Sequence, residues 1–217
     1  MLRNVPLFAD LPDDDIESIS NLAATRTYPK NTIIISEGDD SDSLYVVLSG
    51  KVKVFLSDDD GREIIINILG EGEYFGELAL LDDAPRSASV MTSEECKLAV
   101  ISKSAFEECL FKNPQLSLRV IKELSRRMRS LTQNVKSLAL MDVYGRVART
   151  LLDMAEPMDT NKELLVVRQK LTQRDIASMV GASREMVSRI LKDLSTGGYI
   201  TIQNKTITIN EKLPPGW

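Results

Sequence analysis

The hydrophobic pattern of this chain changes once, at Asn113-Pro114, between two kinds of secondary structure. Before this point come short runs of β-branched residues separated by turn residues, which is typical of strands. After it, apolar residues recur every three or four positions, which is typical of helices. The chain has 217 residues, the length of one large domain or two modest ones. We therefore expect a β-rich part followed by a helical part.

The β-rich part carries five predicted strands. The segments 37–42 and 58–61 between them have turn composition, and Gly61 can adopt a positive φ at a hairpin tip. Residues 11–23 predict a short helix with carboxylates at its positive end. Short strands at even spacing indicate a sandwich or a jelly-roll barrel. The predicted strands are 32–36, 43–50, 51–57, 63–69 and 87–93.

A heptad seam follows Pro114, because six apolar residues are spaced alternately by three and four positions. The residues between them, among them Arg126, Arg127, Arg129 and Lys136, make the flank strongly polar. A stripe this narrow on a helix this long favours a two-stranded coiled coil and a homodimer. The alternative is a single helix that lies on its own domain. The heptad seam consists of Ile121, Leu124, Met128, Leu131, Val135 and Leu138.

The C-terminal part has the pattern of a helix-turn-helix. Thr172 and Asp175 match a capping box, Gly181 supplies a turn, and Ser183 is a favourable N-cap for a second helix. One apolar face then consists of Ile176, Val180, Val187, Ile190, Leu191 and Leu194.

Two further elements flank this motif. A helix is predicted over 143–156, and a hairpin over 201–210 with Asn204-Lys205 at its tip. A hairpin behind a helix-turn-helix is a wing, so the segment predicts a winged helix-turn-helix, whose second helix enters the major groove of DNA.

The exposed face of the second helix carries side chains that can read base edges. Arginine can donate two hydrogen bonds to guanine, and glutamate can accept one from cytosine. The residues on this face are Arg184, Glu185, Ser188 and Arg189. The alternative is a solvated face with a structural Arg–Glu pair. Side chains expected to meet phosphates, which position a domain without reading sequence, are Thr172, Gln173, Arg174, Ser183 and Lys205.

The net charge of −5 hides an asymmetry between the two parts. Residues 1–112 carry 10 Lys and Arg against 22 Asp and Glu, whereas residues 113–217 carry 17 against 10. An acidic half joined to a basic half favours two domains with different partners, the second partner being a polyanion. The alternative is two differently solvated surfaces.

Residues 70–90 are not an ordinary strand sequence. Gly76 allows the backbone to approach a ligand, and the short helical turn after it is a potential anion site. Arg86 can make a bidentate contact with a phosphate, and Glu77 can accept a hydrogen bond from a sugar hydroxyl. The alternative is a salt bridge between Arg86 and Glu77 in a tight turn.

The composition argues against an enzyme and against a metal site. The chain has no histidine, and its two cysteines, Cys96 and Cys109, have no paired spacing. We therefore expect no metal and no iron–sulfur cluster. No apolar run approaches the roughly 20 residues that span a bilayer, and the N-terminus is too acidic for a signal peptide. We expect a cytoplasmic protein without a membrane partner.

Two motifs carry a resemblance to a known family. The segment 75–90, FGELALLDDAPRSASV, resembles the phosphate-binding cassette of cyclic-nucleotide-binding domains, and the segment 183–191, SREMVSRIL, resembles the recognition helix of the Crp/Fnr transcription factors. The similarity runs over nearly the whole chain. It implies an α+β protein with an N-terminal β jelly-roll cyclic-nucleotide-binding domain (1–112), a long dimerisation coiled-coil helix (113–140) and a C-terminal winged helix-turn-helix DNA-binding domain (141–217).

The resemblance also implies roles for single residues. The glycine and the N–H groups after it, Gly76 to Ala79, bind the cyclic phosphate together with Arg86 and Ser87, and Glu77 binds the ribose 2′-hydroxyl. Arg127 matches an arginine of the long helix near the pocket. The apolar wall positions are Val54, Ile66, Leu78 and Ala88.

Two positions depart from the cAMP-responsive branch of the family. In that branch two adjacent hydroxyl residues hold the adenine, and they correspond to Leu131 and Thr132, of which Thr132 keeps the hydroxyl. Ser188 matches the fumarate–nitrate branch instead. The trio Arg184, Glu185 and Arg189 resembles a reader of TGTGA-type half-sites.

The resemblance implies a homodimeric transcription regulator that binds double-stranded DNA and is controlled by a cyclic nucleotide, with cAMP the expected effector. No haem is expected, since the haem-sensing members of the family use histidine, which this chain lacks. The effector could instead be cyclic di-GMP or cGMP, or the dimer could bind DNA without a ligand. Alternatives from other classes are a phosphodiesterase and a module whose helix-turn-helix packs on protein. The acidic residues 58–60 resemble a surface that contacts RNA polymerase; the alternative is a solvated turn.

Overall fold

The computed structural model describes residues 2–9, 11–40, 42–158, 164–169, 171–203, 206–210 and 213. The chain divides into two compact units. The first comprises Met1–Ser57 and Ile65–Arg129, and the second comprises Asp58–Ile64 and Ser130–Trp217.

In the described part of the first unit, a 3-10 turn at Leu2–Asn4 precedes eight strands and four α-helices, the last of which continues into the second unit. The helices are α1 (Asp13–Leu22), α2 (Leu78–Leu81), α3 (Lys103–Lys112) and α4 (Pro114–Leu140). The strands are β1 (Ala24–Tyr28), β2 (Ile33–Ile35), β3 (Ser43–Ser49), β4 (Val52–Ser57), β5 (Glu63–Leu69), β6 (Tyr74–Phe75), β7 (Ser89–Thr92) and β8 (Cys96–Ser102).

The strands form two four-stranded antiparallel sheets, ordered β1-β8-β3-β6 and β2-β7-β4-β5. Successive residues of β3 point to opposite faces, as the period of a strand requires. Val46 packs among the helices with Phe8 and Phe106, whereas Val47 packs against the second sheet with Val52. The first sheet is therefore covered by helices on one face and by the second sheet on the other.

All five strands predicted in the β-rich part are present, as β2, β3, β4, β5 and β7, but three other strands of the first unit were not predicted. The run Cys96–Ser102 of β8 pairs with both β1 and β3 and is the centre of its sheet. Strand β1 contains Arg26 and two threonines and is largely exposed. Its sequence therefore lacks the alternation of apolar and polar residues that predicts a strand. Strand β6 has two residues, too few for any periodicity.

Helix α4 begins at Pro114, where the hydrophobic pattern changes. Proline is favourable at this position because the N–H of the first helical residue has no acceptor within the helix, so its absence costs nothing. Leu116 and Val120 are buried in the helical core of the first unit, and Leu124 packs partly against it. The other five residues of the heptad seam are between 43% and 69% exposed in the single chain. The helix thus lies on its own domain along one stripe and leaves the rest of the heptad seam open.

The second unit contains the helix-turn-helix and a four-stranded sheet. Its elements are α5 (Val143–Asp153), β9 (Glu156–Pro157), β10 (Leu165–Val167), α6 (Gln173–Val180), α7 (Arg184–Thr196), β11 (Ile200–Gln203) and β12 (Thr206–Ile209). The sheet order is β11-β12-β10-β9. The predicted wing hairpin is present as β11 and β12, and strands from before the helix-turn-helix extend it. The predicted tip, Asn204-Lys205, lies outside the described residues.

Arg146 of α5 fixes the helix-turn-helix to the end of the long helix. Its Nε donates to the Val180 carbonyl oxygen at 2.7 Å, and its Nη1 donates to the Met141 carbonyl oxygen at 2.8 Å. Val180 is the last residue of α6 and Met141 directly follows α4, and carbonyls at helix ends have no intrahelical donors. Arg146 therefore satisfies two helix ends with one guanidinium. Among the described residues, no helix is both long and apolar enough to cross a bilayer.

Candidate functional site

The segment 75–90 begins with a sharp change of backbone direction. Gly76 has a φ of +86°, a conformation that L-residues avoid because Cβ crowds the backbone. A Cβ on Gly76 would also lie 2.6 Å from Nη1 of Arg86 and 3.0 Å from the Ser43 carbonyl oxygen. Glu77 and the short helix α2 follow directly. The glycine is thus required both by the backbone conformation and by the closeness of Arg86.

Arg86 is 3% exposed and is fixed by main-chain oxygens. Its Nη1 donates to the Gly76 carbonyl oxygen at 2.6 Å, and its Nη2 donates to the Ser43 carbonyl oxygen at 2.7 Å. Burial lowers the pKa of the Arg86 guanidinium from its usual value. These contacts hold a buried cationic fork beside Gly76.

Glu77 is also 3% exposed, and its ion pair is with Arg127 of α4 rather than with Arg86. Arg127 Nη1 lies 2.9 Å from Glu77 Oε1, and Nη2 donates to the Tyr74 carbonyl oxygen at 2.7 Å. The Arg127 guanidinium also lies 4.8 Å from the centre of the Tyr74 ring. Burial raises the pKa of Glu77, and the charge of Arg127 opposes that rise. Arg127, which resemblance assigned to the pocket region, therefore contacts the carboxylate assigned to the ribose.

The remaining predicted nucleotide residues differ in exposure. Ala79 is buried, Leu78 and Ser87 are exposed, and Val54, Ile66 and Ala88 are half-buried. Leu131 and Thr132 are exposed and belong to the second unit.

Sequence reasoning missed three residues that organise this site. Ser43 contributes a carbonyl oxygen, so its side chain gives no signal. Tyr74 supplies a carbonyl and a ring to Arg127, and Glu123 of α4 is a second partner of the same arginine, at 3.1 Å from its Nε. The (i, i+4) spacing of Glu123 and Arg127 was a visible signal for an ion pair.

Replacing Gly76 by alanine tests whether the cassette needs this close approach. We expect cyclic-nucleotide affinity to fall about tenfold or more, because Cβ adds backbone strain and displaces Arg86. Isothermal titration calorimetry measures the affinity. Gly61→Ala is the matched control, since Gly61 has a φ of +73° but nothing within 4 Å of a built Cβ. Equal losses in both variants would contradict a special role for Gly76.

The helix-turn-helix has the local geometry that its sequence predicts. The Thr172 hydroxyl accepts from Asp175 N, and the Asp175 carboxylate accepts from Thr172 N, which is a complete capping box. Gly181 ends α6 in the left-handed conformation with φ +62°, and the Ser183 hydroxyl caps α7 by accepting from Met186 N. The six residues of the predicted apolar face are all buried.

The predicted base-reading side chains lie along the first turns of α7. Arg184, Glu185 and Arg189 are exposed, and Ser188 is half-buried. A crevice of about 440 Å³ opens between the helix-turn-helix and the wing. It is lined by Leu171, Thr172, Gln173, Arg174, Ile176, Arg184, Leu191, Ile202 and Ile207.

Three of the predicted phosphate contacts, Thr172, Gln173 and Arg174, share that crevice with Arg184. Ser183 is exposed and serves as the N-cap. The fifth, Lys205, lies outside the described residues. Three of the five predicted phosphate contacts therefore line the same crevice.

The chain matches two family models in the predicted order. The model described as "Cyclic nucleotide-binding domain" matches residues 25–113, and the model described as "Crp-like helix-turn-helix domain" matches residues 145–212.

Characterised relatives cover almost the whole chain. A CRP-like cAMP-activated global transcriptional regulator of Mycobacterium tuberculosis is 32% identical over 212 residues, which is 97% of this chain and 95% of the relative. The cAMP-activated global transcriptional regulator Vfr of Pseudomonas aeruginosa is 37% identical over 188 residues, covering 85% and 88%. These relatives are regulators and not enzymes, which confirms the expected class.

A solved structure of similar fold is that of CLP, the c-di-GMP responsive global regulator of Xanthomonas campestris. It matches with a TM-score of 0.78 at 29% identity, covering 93% of this chain and 100% of that chain. The two family models match the parts of the chain that contain the cassette and the helix-turn-helix, and one relative aligns over 97% of the chain. The chain belongs to the Crp/Fnr family of transcription regulators, with a cyclic-nucleotide-binding domain and a Crp-like helix-turn-helix.

Proposed function

We propose that this chain is a homodimeric, cytoplasmic transcription regulator whose binding to a palindromic operator is controlled by cAMP. The observation that carries the proposal is the buried guanidinium of Arg86 next to Gly76, with Glu77 fixed nearby by Arg127. A buried cationic fork suits a phosphate, because arginine forms paired hydrogen bonds to phosphate oxygens. A buried carboxylate suits a hydroxyl, because it needs hydrogen-bond donors once it is removed from water.

In this proposal the cyclic phosphate contacts Arg86, Ser87 and the amides from Gly76 to Ala79, and the ribose 2′-hydroxyl donates to Glu77. The names of the cAMP-activated relatives favour cAMP as the nucleotide. The apolar walls are formed by Val54, Ile66, Leu78 and Ala88. Thr132 supplies one hydroxyl to the adenine, and Leu131 contributes an apolar contact.

A second effector, cyclic di-GMP, is favoured by one observation. The structural relative CLP, at 29% identity, is a c-di-GMP responsive regulator. Leu131, at one of the two adenine-contacting positions, cannot accept or donate a hydrogen bond. Adenine recognition at these two positions would therefore depend on the Thr132 hydroxyl.

The exposed heptad seam supports a dimer formed through α4. Five apolar side chains open to solvent along one stripe are covered when a second copy packs against them. A twofold dimer places two recognition helices about 34 Å apart, one turn of DNA, and so reads a palindrome. Arg184, Glu185 and Arg189 read a TGTGA-like half-site, Ser188 lies beside them, and Thr172, Gln173, Arg174, Ser183 and Lys205 meet phosphates.

RNA polymerase is the proposed further partner, at residues 58–60. Asp58 accepts hydrogen bonds from the backbone N–H groups of Asp60 and Arg62, so its carboxylate also shapes the hairpin turn. Asp59 and Asp60 are exposed on that turn. The Asp60 carboxylate pairs with Arg62, as the Asp58 carboxylate does. A polymerase contact would therefore depend on Asp59 more than on Asp58 or Asp60.

Titrating several nucleotides while following operator binding tests the proposal. We expect cAMP to tighten binding of a palindromic TGTGA-type duplex by about 5- to 150-fold, the usual range of coupling between sites. Cyclic GMP and cyclic di-GMP serve as competitors in the same fluorescence-anisotropy assay. Tighter operator binding with cyclic di-GMP and not with cAMP would replace the effector. Tight binding by a monomer in analytical ultracentrifugation would contradict the dimer.

A further inference from the structure

Glu123 lies on α4 and pairs with two arginines of the same helix. Its carboxylate accepts from Arg126 Nε at 2.9 Å and from Arg126 Nη2 at 2.7 Å, a bidentate pair. The same carboxylate lies 3.1 Å from Arg127 Nε. The hydrogen bonds from Arg126 hold the pKa of Glu123 at about 2, well below its usual value. Glu123 is therefore a fixed anion at neutral pH.

Arg127 connects this anion to Glu77. Its three donor nitrogens go to three different acceptors: Nε to Glu123, Nη1 to Glu77 and Nη2 to the Tyr74 carbonyl oxygen. A guanidinium is planar, so contacts at Nε and Nη2 determine where Nη1 points. The partner of Nε thus helps to decide how Arg127 meets Glu77.

Glu123 also changes the electrostatic state of Glu77. With one carboxylate on each side, the charge of Arg127 is shared between two anions. The negative charge of Glu123 raises the pKa of Glu77 and so keeps its carboxylate a stronger hydrogen-bond acceptor. Without Glu123, Arg127 would attract Glu77 alone and compete with any other donor for its oxygens.

We infer that Glu123 is a positioning residue for ribose recognition: through Arg127 it orients Glu77 and leaves a Glu77 oxygen able to accept from the ribose 2′-hydroxyl. This inference rests on the proposed function, in which Glu77 is the ribose contact. The property it determines is the preference for a ribonucleotide over the 2′-deoxyribonucleotide. Glu123 itself does not contact the ligand.

The test compares cAMP with 2′-deoxy-cAMP on the full-length protein by isothermal titration calorimetry. We expect Glu123→Gln to weaken cAMP binding about five- to tenfold, the effect of weakening one charge-assisted hydrogen bond. The affinity for 2′-deoxy-cAMP, which lacks the donor, should stay the same. The ratio of the two affinities should therefore shrink by the same factor.

Two further variants keep the test decisive. Glu108→Gln removes an equivalent (i, i+4) glutamate, which pairs with Lys112 at 2.6 Å on α3, and should leave both affinities unchanged. Arg126→Gln removes the bidentate support of Glu123 at an exposed position. Arg126→Gln should also reduce the ratio of the cAMP and 2′-deoxy-cAMP affinities, but by a smaller factor than Glu123→Gln. It replaces Glu123→Gln in the test if that variant fails to fold.

The outcomes separate the inference from the proposed function. Equal weakening of both nucleotides in Glu123→Gln would show a general structural role and overturn the inference alone. If the wild-type protein binds cAMP and 2′-deoxy-cAMP equally, Glu77 is not the ribose contact. The assignment of Glu77 in the proposed function then fails, and the inference fails with it.

Discussion

Arg86→Ala is expected to weaken cAMP binding by about 100-fold or more while both units stay folded. The Arg86 side chain is 3% exposed, so an anion that binds it is largely removed from water. Removing one member of a buried charge pair costs about 3–5 kcal/mol, which corresponds to more than about 100-fold in affinity. The variant also leaves the carbonyl oxygens of Gly76 and Ser43 without these two donors.

Calorimetry measures this loss, and circular dichroism melting checks the fold. Arg62→Ala is the control, because Arg62 is an exposed arginine that pairs with Asp58 and Asp60 in the hairpin turn. Arg86→Lys keeps the charge but not the planar fork, so its affinity should fall between those of the wild type and Arg86→Ala. Undiminished cAMP binding by Arg86→Ala would show that the phosphate site lies elsewhere.

Arg184→Ala is expected to weaken operator binding by about 1–3 kcal/mol and to relax the preference at one base pair of each half-site. Arg184 is the first residue of α7, follows the Ser183 cap and is exposed. The N-terminal residues of a recognition helix are those that reach base edges. The Arg184→Ala variant should therefore lose affinity for the correct operator, and should lose much less affinity for a duplex in which that base pair is changed.

Competition anisotropy against a panel of single-base operator variants measures this preference. Arg174→Ala is the matched control from the same crevice. We propose Arg174 as a phosphate contact, so its loss should weaken binding to all sequences equally and should lower the salt dependence of binding. An equal loss on every duplex for Arg184→Ala would make Arg184 a phosphate contact as well.

Elements defined by neighbouring residues could be predicted from the sequence. The Thr172–Asp175 capping box, the left-handed Gly181 and the Ser183 cap depend on residues within four positions of one another. The start of α4 at Pro114 is of the same kind. Helix α3 was missed although Ser102 caps it by accepting from Ala105 N, because its ten residues carry no clear apolar period.

The sequence indicated which residues could form a nucleotide site, and their binding role stays a prediction, but it did not indicate the contacts between them. Gly76, Glu77 and Arg86 lie within eleven positions, and their types alone suggested an anion site. The sequence left open whether Arg86 would pair with Glu77. The structure pairs Glu77 with Arg127 and fixes Arg86 on the carbonyl oxygens of Gly76 and Ser43.

What the sequence determined by itself is therefore local: helix caps, the turn glycine, the heptad spacing and the residue types of the cassette. The tertiary structure decided which distant groups meet. Ser43 reaches Arg86 across 43 positions and Glu77 reaches Arg127 across 50, and β9 and β10 join the wing sheet from before the helix-turn-helix. Caps and turns are set by backbone geometry within one or two turns of chain, whereas these contacts depend on strand register and on helix packing, which no short stretch of sequence specifies.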